Sequence, residues 1–256
     1  MVSFLLVSPR HGADIAAAEY QDFLAATGLR PEELTQRMLD SEHATIGSLA
    51  GFDGVFVGGS PFNVSTPHYS AEQRHVHAQL ATLFDAPTPT FFVCFGAAFL
   101  ADLRGGRVGH SYAEESGASI VTVTDAGRLD PVTRNLPAEF TVLTGHTENV
   151  EELGAGATLL ASGPSCPIQL FRANETTWAS QFHADMDAAA METRMRFYFD
   201  YGYFEPAQFD KIVASLQNVN TQYAAQILRN FVEYCAPTIS MDQQRSAIHA
   251  CPIPAS

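Results

Sequence analysis

The stretch that most constrains this chain runs from Pro89 to Leu103. Thr90-Phe91-Phe92-Val93 has no polar alternation, is bounded by Pro89, and is followed at once by Cys94, Gly96, Ala97 and Ala98 leading into a segment of helical composition. A short run without a dry and a wet side reads as a strand covered on both faces, the kind found in parallel sheets. A cysteine at so sharp a strand-to-helix turn is pushed out above the sheet's carboxyl edge. It also sits at the positive end of the next helix, where backbone N–H groups can stabilise a thiolate and then an oxyanion. The competing reading is a buried cysteine serving as a small hydrophobe.

The rest of the chain is organised around that turn. Residues 3–8 read as a first strand, 14–27 as a helix, 35–40 as a short strand and 54–57 as a second buried strand ending at Gly58-Gly59-Ser60-Pro61. Residues 70–84 read as a helix, followed by strand 90–93 and helix 97–103. Strands alternating with helices imply right-handed crossovers and a parallel sheet. Beyond Gly105-Gly106 the texture changes: residues 118–124, 140–143, 157–161, 168–172 and 177–181 read as successive strands, which predicts an antiparallel edge on that sheet. Residues 188–201, 206–217 and 221–235 read as helices, and 237–256, with Pro252 and Pro254, as a loose tail.

Composition removes several classes of function. A formal net charge of −14 argues against nucleic acid, whose phosphates need a basic face. The apolar N-terminal run is short and carries no basic leader, and the longest apolar run falls short of the roughly 20 residues a membrane span needs. Cys94, Cys166, Cys235 and Cys251 lie far apart without CxxC spacing, as expected for reduced thiols in a cytoplasm. No metal site is expected, since the only closely spaced ligand pair, His75 and His77, points to different faces of a helix.

A thiol nucleophile needs a base, and the base needs an orienting group. His183, in Gln181-Phe182-His183-Ala184-Asp185, follows a strand and has a carboxylate two residues on; Asp187 is a fallback orienter. His146, which also follows a strand, is the runner-up. Any single histidine can equally be a hydrogen-bonded structural residue. Gly58-Gly59, at the end of a buried strand, could aim N–H groups at the edge that carries Cys94, or could simply make a turn.

Three elements taken together resemble the class I glutamine amidotransferase domain, in a GMP-synthase-like, stand-alone form. They are Val57-Gly58-Gly59-Ser60-Pro61, the cysteine elbow Pro89-Thr90-Phe91-Phe92-Val93-Cys94-Phe95-Gly96 followed by Gly105-Gly106-Arg107-Val108, and Gln181-Phe182-His183-Ala184-Asp185. Their order and separations fit, as does the segment around Cys166-Pro167, and the resemblance covers residues 3–190. It implies that Cys94 attacks the side-chain amide of glutamine, that His183 moves the proton, and that Asp185 orients His183. It further implies an oxyanion hole from the N–H groups of Gly59 and Phe95, with Gly58, Ser60 and His146 as substrate-binding candidates. Segments 61–65 and 112–117 fall where the family places substrate-binding loops. Three positions differ: Phe92 replaces a glycine, Ala97-Ala98 replaces His-Gln, and Asp185 replaces a glutamate. The second change bears on glutamine recognition rather than on thiol chemistry.

The expected fold is α/β: a largely parallel mixed sheet with helices on both faces, flavodoxin-like, with extra C-terminal helices. Residues 1–190 would form the amidotransferase-like domain, 191–236 a helical extension packed on it, and 237–256 the tail. The expected function is release of ammonia from glutamine, without a cofactor, for an acceptor on a separate synthetase subunit. Two alternatives stand beside it: a stand-alone γ-glutamyl thiol hydrolase or peptidase of the same fold, and a non-catalytic binding homologue.

Overall fold

The computed structural model describes residues 2–236. Strand β1 (Phe4–Ser8), helix α1 (Ala13–Thr27), β2 (Leu34–Met38), β3 (Gly54–Val57), α2 (Ala71–Phe84), β4 (Thr90–Val93) and α3 (Phe95–Leu103) follow in order. Then come β5 (Arg107–Gly109), β6 (Gly117–Val123), β7 (Glu139–Thr144), β8 (Asn149–Glu152), β9 (Thr158–Ser162), β10 (Leu170–Arg172) and β11 (Thr177–Ser180). Three helices close the described chain: α4 (Ala188–Phe197), α5 (Phe209–Leu216) and α6 (Gln222–Cys235).

Nine strands form one sheet in the order β2-β1-β3-β4-β11-β10-β9-β6-β7. Strands β2, β1, β3, β4 and β11 run parallel, and β10, β9, β6 and β7 extend the sheet by antiparallel pairing. Alternate residues of the buried strands feed opposite faces, as strand pleating requires. Phe4, Leu6, Phe56, Phe91 and Val93 enter a core closed by Phe23, Ile227, Leu228 and Phe231 of α1 and α6. Leu5, Val7, Val55, Val57 and Phe92 enter the other, closed by Val76, Leu80, Phe99 and Leu100 of α2 and α3. The absence of polar alternation in 54–57 and 90–93 is therefore the imprint of helices on both faces.

The expected antiparallel edge is right for four strands and wrong for β11. This strand leaves β10 by a hairpin and inserts beside β4, in parallel, with Ser180 opposite Val93. Its four residues are all buried, as a central strand demands. The two-stranded ribbon β5–β8 was not expected, because its short polar strands carry no periodicity. The helix expected to reach residue 201 stops at Phe197, ahead of a turn containing Gly202 at φ 80°. The stretch read as a helix from 206 begins with a 3-10 turn at Pro206–Gln208, where proline supplies no N–H, and becomes α-helical at Phe209. The tail at 237–256, with His249 and Cys251, lies outside the described residues.

Candidate active site

Cys94 sits between β4 and α3 at φ 55°, ψ −103°, and among the described residues it is the one non-glycine residue with positive φ. For a side chain with a Cβ this backbone is strained, and such strain persists where the surroundings over-determine it. Here the Cys94 N–H donates to the Ser180 carbonyl at 2.8 Å, tying the elbow to the end of β11. Just beyond, the His183 N–H donates to the Leu143 carbonyl at 2.9 Å, pinning His183 against β7. The neighbouring strands β4 and β11 therefore bring the two residues to one edge. β3, on the other side of β4, adds Gly59: a Cβ built there would lie 3.2 Å from His183 Cε1 and 3.8 Å from Cys94 Cβ. Any side chain at position 59 would crowd the space between sulfur and imidazole.

His183 Nδ1 lies 3.1 Å from Asp185 Oδ1, and both side chains are buried. Burial opposes charge on the imidazole. The Cys94 sulfur and the Asp185 carboxylate outweigh it, by charge and by hydrogen bonds to both, and push the His183 pKa from the ordinary 6.5 up to about 10. Burial likewise opposes charge on Asp185, but His183, with Arg194 behind it, holds this carboxyl below the usual range. Arg194 Nη2 donates to Asp22 at 2.8 Å, and Arg10 pairs with Glu19 at 2.8 Å. Burial and the Asp185 charge push Asp22 up to about 7. Asp187, the fallback orienter, is engaged elsewhere: its Oδ1 caps α4 by accepting from the Ala190 N–H at 2.9 Å.

The charge on His183 gives a direct measurement. Because its folded pKa lies above the ordinary 6.5, its contribution to stability is complete below about pH 6.5 and is lost as pH rises through about 10. In the wild type the His183 imidazole resonances are expected to titrate near that upper value when followed by NMR. In Cys94→Ser the thiolate field is gone while burial, which favours neutral imidazole, remains, so the midpoint moves down. An unchanged midpoint would show that the sulfur does not face the ring.

Two cavities meet at Cys94. One is lined by Asn63, Phe95, Ala98, His146, Glu148 and Gln181. His146 Nε2 lies 3.1 Å from Glu114 Oε2, and Gln169, Ser119 and Ser165 also donate to Glu114, so the imidazole is fixed in place. The other, of about 50 Å³, is lined by His183, Arg10, Arg194, Met191, Met195 and Phe204, among others. Cys94, Ser60 and Tyr203 line both. Ser60, Gly59 and His146 thus gather at the site, with Phe95 opening α3 where the first helical N–H groups lack intrahelical partners. Gly58 does not line either cavity. Its N–H donates to Val7, and a Cβ there would overlap the Glu19 carboxylate. Of the two flanking segments, Asn63 reaches the first cavity, Ser116 the second, and Glu114 acts through His146. Among the described residues no group of three or more His, Cys, Asp or Glu side chains is placed to hold a metal.

Arg10, Arg194, Tyr198 and Tyr203 were not anticipated. Arg10 lies just past β1, after Pro9, and a residue there, at a parallel strand's carboxyl end, is a signal that was available. Tyr198 and Tyr203 lie in an aromatic-rich turn, whose position over the site only the tertiary structure supplies.

A parallel α/β sheet with a strained cysteine elbow and a buried histidine at its carboxyl edge defines the class. Residues 25–200 match the family model glutamine amidotransferase class-I, and the chain belongs to that family. It is 27% identical over 134 residues to GMP synthase [glutamine-hydrolyzing] of Neisseria gonorrhoeae, a match covering 52% of this chain and 24% of that protein. It is 31% identical over 139 residues to the Pseudomonas aeruginosa protein of the same name, covering 52% and 25%. The match thus spans about a quarter of each relative. Among solved structures, a Thermotoga maritima glutamine amidotransferase superposes with a TM-score of 0.71 at 16% identity, covering 92% of this chain and 98% of that one. A glutamine amido transferase from Methylobacillus flagellatus superposes at 0.69 and 15% identity, covering 91% and 95%. These likenesses establish the fold, including the mixed sheet sandwiched by helices. No helix among the described residues is long and apolar enough to cross a membrane.

Proposed function

We propose that this protein hydrolyses the side-chain amide of glutamine through a thioester on Cys94 and releases ammonia for an acceptor held by a separate synthetase subunit. The observation that carries this reading is the strained Cys94 elbow facing a buried His183 that Asp185 holds at 3.1 Å. An amide is a poor electrophile with a poor leaving group. Its cleavage needs an anionic nucleophile, an acid for the departing nitrogen and donors for the oxyanion. An imidazolium beside the sulfur favours the thiolate and is poised to protonate the amine. Asp185 keeps the ring in the orientation that serves both steps. In this reading the N–H groups of Gly59, whose backbone lies beside Cys94 and His183, and of Phe95, the first residue of α3, hold the developing oxyanion. Ser60 and His146 line the space that the amino-acid end of the substrate would fill. Residues 25–200 carry the family match, so the family chemistry is assigned to the sheet and its elbow, with the C-terminal helices as its extension.

The test is covalent labelling by a glutamine-mimicking electrophile, a chloro-isoxazole amino acid. One adduct is expected, located by peptide mass spectrometry on Cys94 and blocked by excess glutamine. Labelling confined to Cys166 or Cys235, or none at all, would reject the assignment and favour a non-catalytic homologue.

A further inference from the structure

We propose that Arg10 is a positioning residue for the oxyanion hole: its guanidinium grips the backbone of the Gly58-Gly59 pair and so keeps the Gly59 N–H in place for the developing oxyanion. This rests on the reading of Cys94 as nucleophile and Gly59 as donor, and adds the group that holds that donor still. A glycine pair is by itself a poor place to fix an N–H. Without Cβ atoms both residues have unusually wide conformational freedom, and the rigid peptide plane between them can turn over as a unit. That middle plane carries the Gly59 N–H. The planes on either side of it are both tied down. On one side the Gly58 N–H donates to the Val7 carbonyl at 2.9 Å, continuing the pairing of β1 with β3. On the other side Arg10 Nη2 donates to the Gly59 carbonyl. With both flanking planes fixed, the one between them cannot turn over freely.

Arg10 is in turn held on three sides. Its side chain is buried, Nη2 pairs with Glu19 Oε1 at 2.8 Å, and Nη1 donates to the Tyr198 hydroxyl at 3.2 Å. Glu19, on α1, is fully buried and accepts from the Ser8 hydroxyl at 2.6 Å. The ion pair packs straight onto the glycine backbone. A Cβ at position 58 would overlap the Glu19 carboxylate, and one at position 59 would lie 3.2 Å from Arg10 Nη2 and 3.2 Å from His183 Cε1. Both glycines are thus the room that the clamp occupies. A buried ion pair is weak evidence for stability, because desolvation offsets much of its attraction. What the guanidinium adds is a directional, charge-assisted donor to one carbonyl. Glu19 balances its charge, so its effect on the chemistry runs through the Gly59 backbone rather than through a field at the sulfur.

The consequence separates two reactions of the same sulfur. Formation and hydrolysis of the thioester both pass through a tetrahedral oxyanion, so both need the Gly59 N–H. The donor serves the transition state more than the bound substrate, so its loss lowers kcat and kcat/KM together and leaves KM nearly unchanged. Alkylation by iodoacetamide forms the Cys94 S–C bond as iodide leaves. No oxyanion develops, and the donor is not needed.

The experiment measures both reactions on wild type, Arg10→Met and Arg10→Lys: glutamate release from glutamine, and iodoacetamide alkylation of the Cys94 peptide across a pH profile, by mass spectrometry. Alkylation is compared at its limiting rate, where the thiol is fully ionised, so a moved thiol pKa does not enter. Arg10→Met is expected to lose about 10²-fold in kcat, the scale of one missing oxyanion donor, with KM and the limiting alkylation rate within about 3-fold of wild type. Arg10→Lys keeps the charge opposite Glu19 but not the fork that reaches Tyr198, and should lose about 10-fold in kcat. It decides the matter alone if Arg10→Met does not fold. Turnover within about 3-fold of wild type in the folded variant overturns the proposal and leaves Cys94 as the nucleophile. Alkylation falling as far as turnover overturns it too, since Arg10 would then act on the sulfur or on the fold at large. A wild type that neither hydrolyses glutamine nor alkylates at Cys94 removes the underlying reading instead.

Discussion

Replacing Cys94 by alanine should lower ammonia release from glutamine by about 10³-fold or more, the scale seen when the nucleophile of a cooperating catalytic set is removed. The fold should survive, because Cys94 is only partly buried and alanine is smaller. Its left-handed backbone is imposed by neighbours that the substitution leaves in place, including the hydrogen bond to Ser180. His183→Ala should cost a similar factor. The double variant should then be hardly slower than either single one, since a nucleophile without its proton carrier and a proton carrier without its nucleophile are equally idle. Initial-rate measurements of ammonia at saturating glutamine on the three variants decide this. Comparable release from wild type and Cys94→Ala would take the sulfur out of the mechanism.

Phe231→Ala should be the most damaging single truncation among the core residues, destabilising the protein by about 3–5 kcal/mol. Phe231 lies on α6 and is fully buried. Its ring meets Phe4 at 6.4 Å, Phe56 at 5.3 Å, Phe91 at 5.7 Å and Trp178 at 5.8 Å between centroids. These partners come from β1, β3, β4 and β11, so the helix closes the face of the sheet beneath the site. Truncation removes both the transfer energy of a large ring and the contacts of four neighbours that cannot collapse into the gap. Urea denaturation followed by far-UV circular dichroism should show the midpoint falling with the slope unchanged. A loss below about 1 kcal/mol would mean that α6 merely leans on the sheet and that the core closes without it.

Much of this was written into the chain. Unbroken apolar runs at 54–57 and 90–93 could be satisfied only by cover on both faces, which called for a parallel sheet and crossover helices. The same logic failed for β11, because an apolar run states that a strand is buried but not which neighbour it pairs with. The hairpin from β10 is local, but the place beside β4 is a non-local pairing with a strand far back in the chain. The misplaced end of α4 has a related cause: residues 198–201 have helical composition, while the chain turns there because α4 and α5 must both pack on the same small cluster around Met191, Met195 and Phe209.

Local chemistry likewise set Cys94 at a tight turn and gave His183 a carboxylate two residues away, since strand, turn and helix propensities act over a few residues. Only the tertiary structure decided that β11 lies beside β4 and so delivers the imidazole to the sulfur. It alone set the paired charges of Arg10, Glu19, Arg194 and Asp22 beneath them, and the aromatic turn at 198–204 over one side of Cys94. Contacts between residues so distant in sequence depend on how whole elements pack, and no short-range pattern encodes that packing.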